Sequence, residues 1–197
     1  MHVASGRWLY GFLLAFTTTI LWGVLPIMLK AVLEVMDPYT VTWYRLFSAG
    51  IVLFCWLAAK RRLPSIKALS VRNRGLLLVA VLGLAFNYVL YVMALQRLTP
   101  GTMQLIIQVA PVLLMFGSML VFRERFGIGQ VIGLLILIPG FALFFNQRLM
   151  ELMTQLSSYT LGILIALVSA LSWALYGLAQ KQLLTIWLNR LVEHMDY

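Results

Sequence analysis

Charge is scarce in this sequence. Only 11% of its 197 residues are charged, and only six of those are acidic, where an ordinary soluble domain carries about 25% charged residues. Cys55 is the one cysteine, so no intramolecular disulfide can form. The two histidines, His2 and His194, stand at opposite ends of the chain, and no two acids share an apolar run. The sequence therefore holds no metal-ligand cluster and no nucleophile with a base at a workable spacing. These scarcities exclude a soluble enzyme, a disulfide scaffold and a disordered protein. They predict no catalytic residues, no metal and no cofactor.

What fills the chain instead is apolar. Hydrophobic residues make up 62% of it and the mean hydropathy is +0.95. A globule of this size cannot hide that much apolar surface from water, so the solvent for most of the chain is lipid. Stretches of about 20 residues with almost no charge mark the spans. They are Leu9 to Leu29, Pro38 to Ala58, Gly75 to Gln96, Pro100 to Phe122, Gly127 to Gln147 and Leu161 to Gln180. Strict two-residue alternation is absent, which argues against a β-barrel. The fold class predicted is all-α and polytopic, with six transmembrane helices. The first span is too long for a cleaved signal sequence, and Lys30-Ala31-Val32-Leu33 is a poor cleavage site.

The basic residues set the orientation. Arg7, the 60–74 segment, Arg123, Arg125, Lys181 and Arg190 put eleven cations on one side, against three (Lys30, Arg97 and Arg148) on the other. The positive-inside rule places the richer side, and with it the N-terminus, in the cytoplasm. Most of the formal net charge of +9 is thus a topology signal. It calls for a lipid bilayer as partner and needs no nucleic acid to explain it. The cations of the 60–74 loop also suit anionic headgroups.

Sliding the chain by 151 residues pairs Trp22 with Trp173 and Lys30 with Lys181, along with Gly11/Gly162 and Ala15/Ala166. The unit between them holds five spans, an odd number, so a second copy enters the membrane inverted. The domain reading is a five-helix repeat over 9–147, the first helix of a second repeat over 160–184, and an off-pattern tail over 185–197. The chain thus reads as truncated after one unit and one helix.

Several motifs resemble the EamA-type branch of the drug/metabolite transporter superfamily. They are Leu21-Trp22-Gly23 with Lys30, Pro38 followed by Arg45, Ala94-Leu95 with the Thr99-Pro100-Gly101 turn, Pro111, Phe122-Arg123-Glu124-Arg125, and Gln130 with Gly133 and Gly140. The resemblance covers roughly residues 9–184. It implies a multi-pass protein of the cell (inner) membrane that exports a small polar metabolite, amino acid or drug by alternating access. Two readings stay open beside it: a truncated, non-transporting membrane module, and a partner-binding fragment. Self-association or pairing with a second half fits either.

The candidate substrate contacts are the polar groups inside the spans, with one helix-breaking proline. Arg45 lies within its span, where a buried arginine costs about 2.5–3.5 kcal/mol and must be paired or face water. It either snorkels, pairs with Glu34 or Asp37, or lines a cavity for an anion. Lys30 is an anchor or a cavity-mouth cation. Asn87, Tyr88, Tyr91, Gln104 and Gln108 bring hydrogen-bonding capacity for a polar substrate. Pro111 and Pro139 are expected to kink their helices. Gly129 with Gly133, and the Ala166/Ala170/Ala174 stripe, read as close helix contacts, within the unit or between copies.

The orientation is directly testable. A cysteine replacing Ser65 is expected to react with an impermeant maleimide in everted vesicles but not in intact cells, above the background set by Cys55. Efficient labelling from outside would reverse the topology.

Overall fold

The computed structural model describes residues 8–61, 63, 70–124, 127–154 and 158–195, and for 144–154, 158 and 187–195 the backbone alone. Residues 62 and 64–69 of the 60–74 loop, and the side chains of the 185–197 tail from 187 on, therefore lie outside the described residues. The described chain is helical throughout: α1 (Trp8–Val32), α2 (Pro38–Ala59), α3 (Val71–Arg97), α4 (Pro100–Ile107), α5 (Val109–Phe122), α6 (Ile128–Thr154) and α7 (Ser158–Met195).

Five runs are long and apolar enough to cross a membrane: Trp8–Val32, Pro38–Ala59, Val71–Arg97, Pro100–Phe122 and Tyr159–Ile186. In α6, which is 27 residues long, the described apolar stretch is Ile128–Leu143. The protein is an all-α polytopic membrane protein.

Local chemistry starts and stops these helices. Asp37 caps α2, its carboxylate accepting from the Tyr39 and Thr40 amides, and Pro38 occupies the first helical turn, where a missing N–H costs nothing. The Thr40 hydroxyl and amide hold the Asp37 carboxyl below the usual carboxylate range. The stabilisation from this cap is thus present at neutral pH and lost as pH falls through that lowered value. Ser70 and Thr99 cap α3 and α4 in the same way.

The fourth span departs from the expected single kinked helix. It breaks into α4 and α5 at Gln108, three residues before Pro111. Pro111 has no N–H for the Ile107 carbonyl and its ring presses on that oxygen, so the helix yields one turn upstream of the proline. Pro26 and Pro139, by contrast, lie inside unbroken helices.

The burial pattern is that of a protein dissolved in lipid. Half of the buried apolar residues are alanine, while Trp8, Phe12, Trp22, Phe54 and Leu135 are all more than half exposed. Without a hydrophobic drive between helices, association rests on close approach and interhelical hydrogen bonds. The main contact, α3 against α7, has both. Ala166, Ala170 and Ala174 are buried there, as the stripe predicts. A Cβ on Gly83 would stand 3.1 Å from the Ser172 carbonyl oxygen and 3.3 Å from the Tyr176 nitrogen. Within the seam Asn87 donates to the Ser169 carbonyl at 2.9 Å and the Ser169 hydroxyl at 3.0 Å, and that hydroxyl donates back to the Asn87 carbonyl at 3.1 Å. Thr102 and the Tyr159 hydroxyl, 3.2 Å apart, fasten the start of α7 to α4. At this end Leu29, Val41, Val92, Leu95, Leu98, Met103 and Ile106 form the apolar core.

For Gly129/Gly133 the expectation of a close contact within the unit is corrected. Nothing lies within 4 Å of a Cβ placed on either glycine, so neither makes a close contact within the described chain. The physical reason is that α6 stands apart from the α3–α5–α7 core. The two glycine sites therefore give opposite predictions. Gly83→Val drives a side chain into the α7 backbone and should cost about 1–3 kcal/mol, read as a lower melting temperature of the purified protein. Gly129→Ala should leave the melt unchanged or raise it slightly.

Candidate functional site

Four of the expected site residues come together. Arg45 of α2 lays its guanidinium over the Tyr88 ring of α3, 4.9 Å from the centroid. Tyr91 follows three residues later on the same helical face, and both tyrosines lie within electrostatic reach of Arg45. The Tyr91 hydroxyl donates to Gln104 Oε1 of α4 at 3.3 Å. Gln104 Nε2 in turn donates to the Trp22 carbonyl of α1 at 3.1 Å. Four helices thus converge on a polar cluster inside an otherwise apolar bundle.

The cluster has one incomplete member. Nη1 of Arg45 is buried and has no hydrogen-bond partner among the described residues. The expected pairing of Arg45 with Glu34 or Asp37 does not occur, because the Asp37 carboxylate is engaged as the α2 cap. The buried Nη1, in the second turn of α2, is a hydrogen-bond donor without an acceptor among the described residues. The planar fork of a guanidinium suits a carboxylate or phosphate oxygen.

The other expected residues lie elsewhere. Lys30 donates to the carbonyls of Leu95, Gln96 and Leu98 at 2.8, 3.0 and 3.0 Å. Its ammonium therefore caps the C-terminus of α3, where helix carbonyls lack partners and the macrodipole is negative. Asn87 belongs to the α3–α7 seam. Gln108 is exposed at the α4/α5 break.

Pro111 lines a separate cleft of about 520 Å³ with Leu114, Met115, Ser118, Met119, Glu124, Gln130 and Lys181. Lys181 is held at that cleft by an ion pair. It binds both oxygens of Glu124 at 2.6 and 2.7 Å and lies 5.0 Å from the Phe122 ring centroid. Among the described residues no three His, Cys, Asp or Glu side chains gather to hold a metal ion.

Sequence reasoning missed the links that build the cluster. Ser169 as the partner of Asn87, and the Trp22 carbonyl as the partner of Gln104, were not foreseen. A signal for the second was present: Pro26 lies four residues after Trp22, so the Trp22 carbonyl has no helical N–H to accept from.

The cap role of Lys30 carries its own test. Lys30→Met removes a charged donor from three carbonyls and should destabilise the protein by about 1.5–3 kcal/mol, measured by melting in detergent. An unchanged melt would mean that the cap contributes nothing.

Comparison with known proteins agrees with this architecture. Residues 9–146 match the EamA-like transporter family. Over 176 residues the chain is 44% identical to the uncharacterized inner membrane transporter YhbE of Escherichia coli (strain K12), covering 88% of this chain and 54% of that protein. Over 190 residues it is 37% identical to an uncharacterized transporter of Haemophilus influenzae, covering 96% of this chain and 61% of the relative. The chain thus spans little more than half the length of these relatives. No solved structure matches it.

Proposed function

The chain belongs to the EamA-like transporter family, and from that premise we propose that it carries the substrate-gripping unit of an alternating-access exporter in the inner membrane, with its N-terminus in the cytoplasm. Its substrate is a small polar metabolite, amino acid or drug with an anionic group. In this reading residues 9–147 are the first five-helix repeat, and 160–184 begin an inverted second one. The observation that supports it most is the buried, unpartnered Nη1 of Arg45. A cation inside a span is costly unless something pairs with it, and the ring of Tyr88 serves one face of the guanidinium only. The transported anion completes the arrangement. Tyr88, Tyr91 and Gln104 form its polar wall. Lys30 and Asn87 hold the helices that present the wall, and Gln108 and Pro111 mark the break beside it.

The test uses 3-phenyllactate as a probe monoanion with the full chain in lipid nanodiscs. Arg45→Ala is expected to weaken binding roughly tenfold or more, the worth of a charged hydrogen bond, at unchanged insertion yield. Arg45→Lys should keep the charge but lose part of the affinity. Equal binding by wild type and Arg45→Ala would remove Arg45 from the site. Flux of the same probe in everted vesicles separates a transporter from a non-transporting module.

A further inference from the structure

Pro26 is buried in the last third of α1. Its effect is on the backbone. A helical carbonyl normally accepts from the N–H four residues later, and for Trp22 that residue is Pro26, which has none. The freed oxygen can only accept. Gln104 must therefore turn its NH₂ toward Trp22, and the 3.1 Å contact shows that it does. The amide orientation is fixed by chemistry, since the reverse would set two oxygens face to face.

The consequence passes to Tyr91. With the Gln104 nitrogen committed, the atom facing Tyr91 is Oε1, an acceptor. The phenol has a single proton and must donate it there. For any further partner the Tyr91 oxygen then has only lone pairs. Arg45, with its unpartnered Nη1, offers only donors. The site thus presents a fixed donor and a fixed acceptor on neighbouring side chains.

We infer that Pro26, acting through the Trp22 carbonyl and the Gln104 amide, fixes Tyr91 as a hydrogen-bond acceptor near Arg45, so that the site selects anions carrying a hydroxyl or amine donor next to the anionic group. Pro26 and Gln104 are positioning residues, and Tyr91 and Arg45 are the contacts. The inference rests on the proposed anion site and adds to it a direction for each hydrogen bond.

Two probes that differ by one hydroxyl test it: 3-phenyllactate and 3-phenylpropionate, bound to the full chain in nanodiscs. The wild type should prefer 3-phenyllactate about fivefold, the worth of one neutral hydrogen bond. Tyr91→Phe should abolish the preference. Pro26→Ala supplies an N–H to the Trp22 carbonyl and frees Gln104 to turn, so the preference should fall toward unity while 3-phenylpropionate binds as before. The double variant should look like Tyr91→Phe alone, because both act through one hydroxyl. A structural role for Pro26 would weaken both probes equally and leave their ratio intact, which would overturn the inference. Equal, Arg45-dependent binding of both probes by the wild type would overturn it too, while leaving the anion site standing. Failure of both probes to bind would remove the inference and the site together.

Discussion

Lipid offers a backbone carbonyl nothing to bond to, so every carbonyl released by a proline or a helix end must find a donor within the protein. Much of the polar chemistry of this bundle answers that demand. Lys30 satisfies three carbonyls at the end of α3. Gln104 satisfies the one that Pro26 releases in α1. Beyond the released carbonyls, Arg97 turns back onto the Met93 carbonyl of its own helix at 2.9 Å, and Asn87 reaches the Ser169 carbonyl across the α3–α7 seam. The Lys30, Gln104 and Asn87 contacts cross between helices, so they also fix which helices are neighbours. Satisfying the backbone and assembling the bundle are one process here.

Arg45 is the exception to this pattern. Lys30 and Arg97 sit near helix ends, where carbonyls need cations. Arg45 sits in the second turn of α2, past the cap that Asp37 provides, and no released carbonyl calls for it. Placing an arginine at the centre of a span costs about 2.5–3.5 kcal/mol, and stacking on a desolvated ring returns about 2 kcal/mol or more.

The spans were readable in the sequence because membrane length and low charge are properties of contiguous residues, and the family motifs are local as well. The Ala166/Ala170/Ala174 stripe was readable for the same reason: spacing of four puts all three on one helix face. The break at Gln108 was misplaced by three residues because proline acts on the carbonyl one turn before it, so the disturbance precedes its cause in the sequence. The Gly129/Gly133 pair misled because its spacing shows that a close approach is possible, whereas only the fold decides whether a helix comes near.

The site was half readable for a deeper reason. Composition shows which polar side chains enter the membrane, but their roles depend on partners 65 to 82 residues away, as for Lys30 with Leu95 and Gln104 with Trp22. Lys30 and Arg45 are each the lone cation of an apolar run, Lys30 just past its end and Arg45 inside it. They part company only when the helices meet: the end of α3 reaches Lys30, and no acid or carbonyl reaches the Nη1 of Arg45. The same sorting divides Asn87 from Gln104. Both amides bond a distant carbonyl, yet Ser169 closes the Asn87 contact into a ring. The oxygen of Gln104 instead hands its constraint on to Tyr91, which keeps open lone pairs. Closed rings hold helices together, and open chains leave a group available to a ligand.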